Sequence, residues 1–426
     1  MQVFTETLSL KRGKGVKLRI VVFEPRFLTP RPNADSGLVQ LHDQVKYLSK
    51  NPKNEVVVLT EKTRDYDDNE KYRIHPIKGN LSNLSERFSA SKRYIPHLSN
   101  FFSPDIINTS SQMIKKEIKP DIIYSCGTSF SSMFSSRIGK LTSVPTVHYV
   151  FHHTVTWEWW KEPISTMDGY KVPLSYIARE LFKNSIREIP RRRFILKKSF
   201  KNITQIISSS DSMRNKILDG FSIDTPVIYP GVEIPRSMAS AKDYKTILYL
   251  GHLWQGRGIL DLLSAFSSII KEDQSAKLIV APNNIHKLTE THFNKLIKKE
   301  RLEKNIEIKG VVNDVFSELF SNSDIVCLPY RDRPSIKLFE SMSAGKAVVT
   351  TNVGYSSEII DDEFNGLLAK PADSNGLSEK ILSILGNAKK IRMLGLNARK
   401  TCQANYDISK KSNELSKIFE GVCDKR

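Results

Sequence analysis

The sequence contains 426 residues, of which 39% are hydrophobic and 26% are charged, and its formal net charge is +19 at pH 7. This length excludes a single ordinary domain, and the composition predicts a globular chain with a sizeable core. The positive charge predicts an anionic partner, which leaves phosphorylated substrates, acidic lipid surfaces and nucleic acid open.

Cellular location is predicted from three features of the sequence. No run approaches the roughly 20 apolar residues that span a bilayer. The charged stretch at residues 11–14 precedes the first strand without an apolar segment, so we expect no secretory signal. The four cysteines are far apart and lack the spacing of a metal site, which favours a reducing, cytoplasmic compartment (Cys126, Cys327, Cys402 and Cys423).

The first half of the chain alternates short apolar runs with helical patterns. Residues 18–23 form a β-rich run, and a helix-like stretch follows from 38 to 48. Further apolar runs occupy residues 55–59, 121–124 and 145–149. Runs that are apolar on both faces and separated by helices predict a parallel sheet covered by helices on each side.

The same pattern restarts after Pro230 and Gly231. A strand at residues 246–250 leads through a glycine-rich turn into a helix whose apolar side chains recur with helical spacing (Ile259, Leu262, Leu263, Phe266, Ile269 and Ile270). Four more strands follow, at residues 277–280, 306–308, 324–328 and 347–350. Near the end, residues 408–422 predict a packed amphipathic helix.

These patterns predict two doubly wound α/β domains. We expect an N-terminal Rossmann-like domain over residues 1–235 and a C-terminal one over residues 236–404. The final helix, about residues 405–426, is expected to pack back on the first domain.

The most informative stretch runs from Arg331 to Pro371. It predicts a strand end, a loop, a helix that carries Glu340, a second strand and then a loop with Gly354 and Glu358. Ligands of open α/β sheets bind beyond the carboxyl ends of the strands, and the N-terminus of a helix can bind an anion. A carboxylate within that helix can accept hydrogen bonds from a ribose. Glu358 is open to two interpretations, a helix cap or a site residue.

This stretch resembles the donor-binding motif of retaining GT-B glycosyltransferases, in particular family four. That motif has two acidic residues separated by seven positions, and here Glu340 takes the second position and Asp332 the first. The resemblance implies that Glu340 contacts the ribose of the donor and that Asp332 contacts its sugar. It also implies that the backbone amides of Ser335 and Ile336, together with Lys337, neutralise the donor phosphates.

A second element is Gly251-His252-Leu253-Trp254-Gln255-Gly256-Arg257-Gly258. It resembles the Gly-Arg-Leu-x-x-x-Lys-Gly segment of the same family, in which a basic pair binds the diphosphate of the donor. Arg257 stands at the lysine position and keeps the positive charge. His252 stands at the arginine position, so it is also predicted to bind the donor.

The resemblance extends in patches to the N-terminal half. Gly37 matches the flexible glycine loop of the family and is predicted to contact the donor. Thr146-Val147-His148 resembles a Val-His segment whose histidine lies near the donor sugar. This implies a catalytic set of His148, Asp332 and Glu340. His152 and His153 could share the role of His148, and His152 and Trp157 are predicted to contact the acceptor.

The family resemblance implies a GT-B fold with two Rossmann-like domains facing across a cleft. It implies transfer of a sugar, with retained anomeric configuration, from a nucleoside-diphosphate sugar to a hydroxyl of a glycan or lipid-linked acceptor. The nucleotide sugar is a co-substrate, and no metal or other cofactor is expected. No nucleic-acid-binding module is recognisable, so nucleic acid is not an expected partner.

Two alternatives stay open at this stage. A nucleotide-sugar epimerase has the same architecture, and the histidine at position 252 leaves that interpretation possible. A basic, membrane-associated binding protein with a degenerate donor site is the second alternative, because Asp332 and His252 depart from the family pattern.

The basic run at residues 191–201 interleaves cations with apolar residues. Such a stretch is typical either of a helix lying on an anionic membrane or of a solvated helix face. The aromatic group Trp157, Trp159 and Trp160 could stack on a sugar or enter a membrane interface. The prediction is therefore a cytoplasmic protein that can associate with the inner face of the cell membrane.

Overall fold

The computed structural model describes residues 17–24, 36–61, 71–77, 104–127, 129–151, 189–239, 243–285, 287–310, 312 and 314–425. Within these ranges the chain forms two six-stranded parallel sheets. With the strands numbered along the chain from β1 (Leu18–Phe23) to β12 (Leu367–Ala369), the strand orders are β3-β2-β1-β4-β5-β6 and β12-β11-β10-β7-β8-β9. Two doubly wound α/β sheets confirm the predicted fold class.

The first sheet is built from the apolar runs of the N-terminal half, and its central strands are buried on both faces because helices cover each side. Its strands are β1 (Leu18–Phe23), β2 (Asn54–Glu61), β3 (Arg73–Ile77), β4 (Ile122–Cys126), β5 (Thr146–Val150) and β6 (Gln205–Ser208). The described helices of this half are α1 (Ser36–Lys50), α2 (Pro104–Met113), α3 (Ser129–Thr142), α4 (Ile189–Phe200) and α5 (Asp211–Phe221).

The second sheet repeats this arrangement in the C-terminal half. Its strands are β7 (Thr246–Leu253), β8 (Lys277–Ile285), β9 (Ile306–Ile308), β10 (Ile325–Leu328), β11 (Ala347–Thr351) and β12 (Leu367–Ala369). Its helices are α6 (Ile259–Glu272), α7 (Lys287–Lys299), α8 (Val315–Glu318), α9 (Lys337–Ser343), α10 (Ser356–Ile359), α11 (Ser374–Leu382) and α12 (Ala388–Asn405). The apolar face predicted for α6 packs in the core of this half.

The last helix, α13 (Ile408–Asp424), belongs to the core of the first sheet. Leu415 and Phe419 are about 1% exposed or less, and the Phe419 ring lies 5.2 Å from that of Tyr124 in β4. The chain therefore returns to the N-terminal half after completing the second sheet. Two segments connect the halves of the molecule, one before β7 and one before α13. Val232 in the first and Asp407 in the second form a parallel bridge.

The parallel order of both sheets places the carboxyl ends of their strands along one edge of each sheet. Loops that follow β7, β8 and β10 therefore meet at one edge of the second sheet, which is where ligands bind in open α/β folds. In the part of the chain that the structure describes, no helix combines the length and apolar character needed to cross a membrane.

Candidate functional site

A cavity of about 460 Å³ opens at the carboxyl edge of the second sheet. Its walls come from the ends of β7 and β8, from helices α8 and α9 and from the segment before β7 that contains residues 232–235. Helix α1, in the first half of the chain, completes the walls. Among the lining residues are Val39, Asp43, Glu233, His252, Asn283, Val312, Phe316, Ile336, Lys337 and Glu340. The structure thus brings together His252, Ile336, Lys337 and Glu340, four of the residues that the sequence predicts for the donor site.

Glu340 and Lys337 lie one turn apart on helix α9 and face the cavity. The Lys337 Nζ atom is 2.7 Å from Glu340 Oε2, and both side chains are a little over one fifth exposed. Helix α9 is held below them by buried Leu338, Phe339 and Met342, which pack in the second-half core. The helix therefore fixes a carboxylate and an ammonium group on one wall of the cavity, where both can reach a ligand.

The glycine-rich turn after β7 contacts the loop after β10. A short 3₁₀ turn, Gln255–Arg257, is followed by Gly258, which has a φ of 72° and directly precedes helix α6. A Cβ atom at Gly258 would lie only 1.6 Å from the Pro329 carbonyl oxygen. Glycine is therefore required by the close approach of the two loops as well as by its left-handed backbone.

Arg257 is the last residue of this turn, and only 5% of its surface is exposed. It does not line the 460 Å³ cavity. Its Nη1 atom donates to the Arg333 carbonyl oxygen at 2.8 Å, and its guanidinium lies 5.5 Å from the centre of the Tyr330 ring. Among the described residues no carboxylate lies within 4 Å of it. A buried cation without an anionic partner is costly in a protein interior, so this site has the chemistry of an anion site.

A second arginine nearby, Arg331, is largely buried and pairs with a carboxylate. Arg331 donates from Nε and Nη2 to the two carboxylate oxygens of Asp261 at 2.7 and 2.6 Å, and both side chains are 9% exposed. The Arg331 amide also donates to the Gly256 carbonyl oxygen. These bonds fasten the loop after β10 to the start of α6. This pair was not predicted from the sequence. The available signal was an arginine just after a predicted strand and an aspartate in the first turn of a predicted helix.

Asp332 follows Arg331 in the same loop. Its Oδ1 atom accepts a hydrogen bond from the Arg333 amide at 2.7 Å. Its Oδ2 atom is buried and has no hydrogen-bond partner within the described residues. The carboxylate thus retains an unused acceptor, although Asp332 does not line the 460 Å³ cavity.

His148 lies in the middle of β5, and only 1% of its surface is exposed. Its Nδ1 atom is 2.8 Å from Ser125 Oγ on the neighbouring strand, and its ring lies near Phe200. His148 is buried because a side chain halfway along a central strand faces the covering helices and not the end of the strand, where ligands bind. This placement does not support the prediction that His148 contacts the donor sugar.

The burial of His148 predicts a pH-dependent loss of stability. Desolvation lowers its pKa from 6.5 to about 3. Between these values the unfolded chain binds a proton that the folded chain does not, so the free energy of unfolding falls as the pH falls, by up to about 1.4 kcal/mol per pH unit. Urea unfolding of the wild type and His148→Gln at pH 7, 6 and 5 measures this, because glutamine does not titrate. Equal pH slopes in the two proteins would contradict it.

The remaining predicted site residues are distributed as follows. Gly37 is buried in the first turn of α1 and does not line the cavity, although Val39 and Asp43 of the same helix do. Ser335 is 7% exposed, and its Oγ atom accepts from the Lys337 amide at 3.2 Å, so it shapes the start of α9. His152 and Trp157 lie outside the described residues.

Glu358 joins the two halves of the molecule. Its carboxylate accepts from the Asp211 and Ser212 amides, at 3.0 and 2.8 Å, and from the Tyr229 hydroxyl at 2.6 Å. Glu358 therefore caps a helix, but the capped helix is α5 of the N-terminal half rather than its own. Burial raises the pKa of Tyr229 above its ordinary value, and Glu358 and Asp211 raise it further.

Most residues of the candidate site lie in a segment that matches a family of known proteins. Residues 232–401 match the family model described as glycosyl transferases group 1. An uncharacterized glycosyltransferase of Methanocaldococcus jannaschii is 23% identical over 245 residues, which cover 53% of this chain and 60% of that protein. The chain spans 60% to 66% of the length of three curated relatives that it matches.

Solved structures match over nearly the whole chain. Sucrose-phosphate synthase of Thermosynechococcus elongatus has a TM-score of 0.71 at 15% identity and covers 95% of this chain and 99% of its own. Anabaena HepE in complex with UDP and glucose has a TM-score of 0.67 at 14% identity, with coverage of 95% and 99%. These comparisons confirm the GT-B fold for the chain, and they place the group 1 glycosyltransferase match on the half that carries the cavity.

Proposed function

We propose that this protein is a glycosyltransferase that moves a hexose from a nucleoside-diphosphate sugar to a hydroxyl of a glycan or lipid-linked acceptor, with retention of configuration. The observation that carries the proposal is the pair of Lys337 and Glu340 on the wall of the cavity. The pair lies beyond the carboxyl ends of the strands and within the segment that matches the family model. The related fold of HepE, solved with UDP and glucose, supports the same class of ligand.

The proposed reaction breaks the bond between the anomeric carbon and the β-phosphate oxygen, and it forms a bond from that carbon to the acceptor oxygen. Negative charge grows on the departing diphosphate, which takes up the proton of the acceptor hydroxyl. Arg257 and Lys337 would stabilise that charge, and burial strengthens the contribution of Arg257 because water screens it little. Glu340 would accept hydrogen bonds from the ribose.

Asp332 would contact the transferred sugar in this proposal. Its buried Oδ2 atom has no partner among the described residues, and a sugar hydroxyl would supply the missing donor. We do not assign His148 a role at the reacting atoms. His152 and His153 follow the end of β5 in the sequence, and we assign contact with the acceptor to His152.

A thermal-shift screen with UDP, GDP, ADP, CDP, dTDP and their common sugar conjugates tests the proposed donor. A ligand at a hundred times its dissociation constant stabilises the fold by about 2.7 kcal/mol, which is easily measured. We expect one nucleotide family to raise the melting temperature. Folded protein that responds to none of them would favour the degenerate binding protein, and conversion of a nucleotide sugar to its epimer without an acceptor would favour the epimerase.

We also propose an anionic membrane surface as a partner, which would place the enzyme on the inner face of the cell membrane. Helices α3 and α4 pack side by side, and neither contains an acidic residue. Phe194 of α4 is 68% exposed and Leu141 of α3 is 49% exposed, while Lys197 and Lys198 beside them are exposed. Exposed apolar side chains within a basic face suit anionic lipid headgroups.

Vesicle sedimentation tests this partner. We expect binding to phosphatidylglycerol vesicles, weakened by salt, and little binding to phosphatidylcholine vesicles. Substitution of Lys197 and Lys198 by glutamine is expected to lower the affinity roughly thirtyfold, at about 1 kcal/mol per lysine. The matched control replaces the exposed Lys298 and Lys299 of α7 in the same way. Equal losses in both variants would show that net charge, not this face, drives the binding.

A further inference from the structure

Asn283 lies on the cavity wall, and the oxygen atom of its side-chain amide has no hydrogen-bond partner among the described residues. Asn283 lies near the end of β8, and its Oδ1 atom is sealed from solvent without a hydrogen bond to any described residue. The side chain nevertheless lines the cavity that contains Lys337 and Glu340. An unsatisfied buried amide group is unfavourable in a folded protein, so its retention needs an explanation.

The strand geometry explains how Asn283 reaches the cavity. Strands β7 and β8 pair in register up to Gly251 and Pro282, and the register then shifts before Leu253 pairs with Ile285. Such an irregularity changes the direction in which side chains point. Asn283 lies within this irregular segment. No hydrogen bond within the described residues engages its Oδ1 atom, so this acceptor is unused in the absence of a ligand.

The surroundings of Asn283 suit a flat, mostly apolar ring with a polar edge. Val312, Phe316 and Ile336 contribute apolar surface to the same cavity, whereas Glu340 contributes a carboxylate. A nucleoside needs these two environments, because its base is flat and its ribose carries hydroxyls. A cavity of about 460 Å³ also lies within the usual range for small-ligand sites.

We propose that Asn283 reads the hydrogen-bonding edge of the donor's base and thereby sets which nucleotide this protein accepts. The proposal rests on the proposed function, because it assigns the base end of the same nucleotide site. An asparagine amide carries a donor and an acceptor side by side, and it can therefore pair with two adjacent groups on a base edge. A pairing of this kind changes affinity between bases by roughly fivefold to 150-fold.

Isothermal titration of the wild type and Asn283→Leu with UDP, CDP, GDP, ADP and dTDP tests this role. Leucine has a similar size but cannot form hydrogen bonds. We expect the best-bound nucleotide to lose at least tenfold in affinity and the differences between bases to shrink. Binding of ribose 5-phosphate, which has no base, is expected to stay the same. Asn284→Leu is the matched control, because this neighbouring asparagine is exposed and does not line the cavity.

A second variant keeps the test decisive if the leucine variant folds poorly. Asn283→Asp preserves the shape of the side chain but leaves only acceptor oxygens, so it should change the order of preference among the bases. Retained preference in either folded variant would overturn the assignment while leaving the glycosyltransferase proposal intact. Failure of the wild type to bind any of the five nucleotides would overturn both proposals, which distinguishes the two failures.

Discussion

Arg257→Gln is expected to lower kcat for sugar transfer by about a hundredfold to a thousandfold, the usual effect of removing one group that stabilises developing negative charge. The reason is its environment. Arg257 is 5% exposed, and among the described residues its partners are a carbonyl oxygen and an aromatic ring, both uncharged. A cation that no carboxylate neutralises retains its full charge for a diphosphate leaving group.

The stability of the same variant separates this role from a structural one. Because Arg257 has no carboxylate partner among the described residues, glutamine should leave the free energy of unfolding unchanged or higher. Arg331→Gln is the matched control, since it removes a neighbouring arginine that is paired with buried Asp261. That change leaves the Asp261 carboxylate buried without its partner, and it is expected to lower the free energy of unfolding by about 3–5 kcal/mol. Urea unfolding and steady-state kinetics measure both variants, and a destabilised but active Arg257→Gln would contradict the assignment.

The strands and the last helix could be predicted because their signals are local. An uninterrupted apolar run such as residues 18–23 indicates a strand that is covered on both faces, and the structure has β1 over those residues. The spacing of Leu415 and Phe419 likewise indicated one apolar helix face, and these side chains pack in the first-half core. The strands β3 and β6 were missed because neither is a continuous apolar run: β3 contains Arg73, His75 and Pro76, and β6 has only two apolar residues.

The wall of the cavity was predictable only where a motif concentrated its residues. His252, Lys337 and Glu340 lie in two short segments that adjacent strands bring together. Asp43 and Asn283 come from other elements and belong to no motif, so their positions required the folded structure. Sequence also could not decide the role of His148, since a histidine within an apolar strand reads the same whether it faces the core or a ligand.

Glu358 shows how a correct local interpretation can still assign the wrong partner. Its position in the first turn of α10 suggested a role as a cap for that helix. In the structure its carboxylate instead accepts from two amides at the start of α5, more than 140 residues earlier in the chain. Such a contact depends on how the two halves pack, which no short segment of sequence encodes.

Glu340→Gln is expected to reduce sugar transfer by about tenfold to a hundredfold, because a hydrogen bond to a charged group contributes about 1.5–3 kcal/mol. The fold should change little. The ion pair with Lys337 is partly exposed and of the kind that contributes about 0–1 kcal/mol. Steady-state kinetics and urea unfolding of the variant check both expectations, and unchanged turnover would overturn the assignment of Glu340 to the site.

The contact of Glu340 with the ribose can be isolated by changing the ligand as well as the protein. If UDP binds, the wild type should prefer it over 2′-deoxy-UDP or 3′-deoxy-UDP by about tenfold or more, and Glu340→Gln should lose most of that preference. Glu358→Gln is the matched control: it removes a carboxylate that holds the α5 amides, so it should lower stability and keep the preference. Because the preference is a ratio of two affinities, a general weakening of the site cancels from it. A Glu340→Gln variant that still discriminates against both deoxy-nucleotides would place the ribose elsewhere in the cavity.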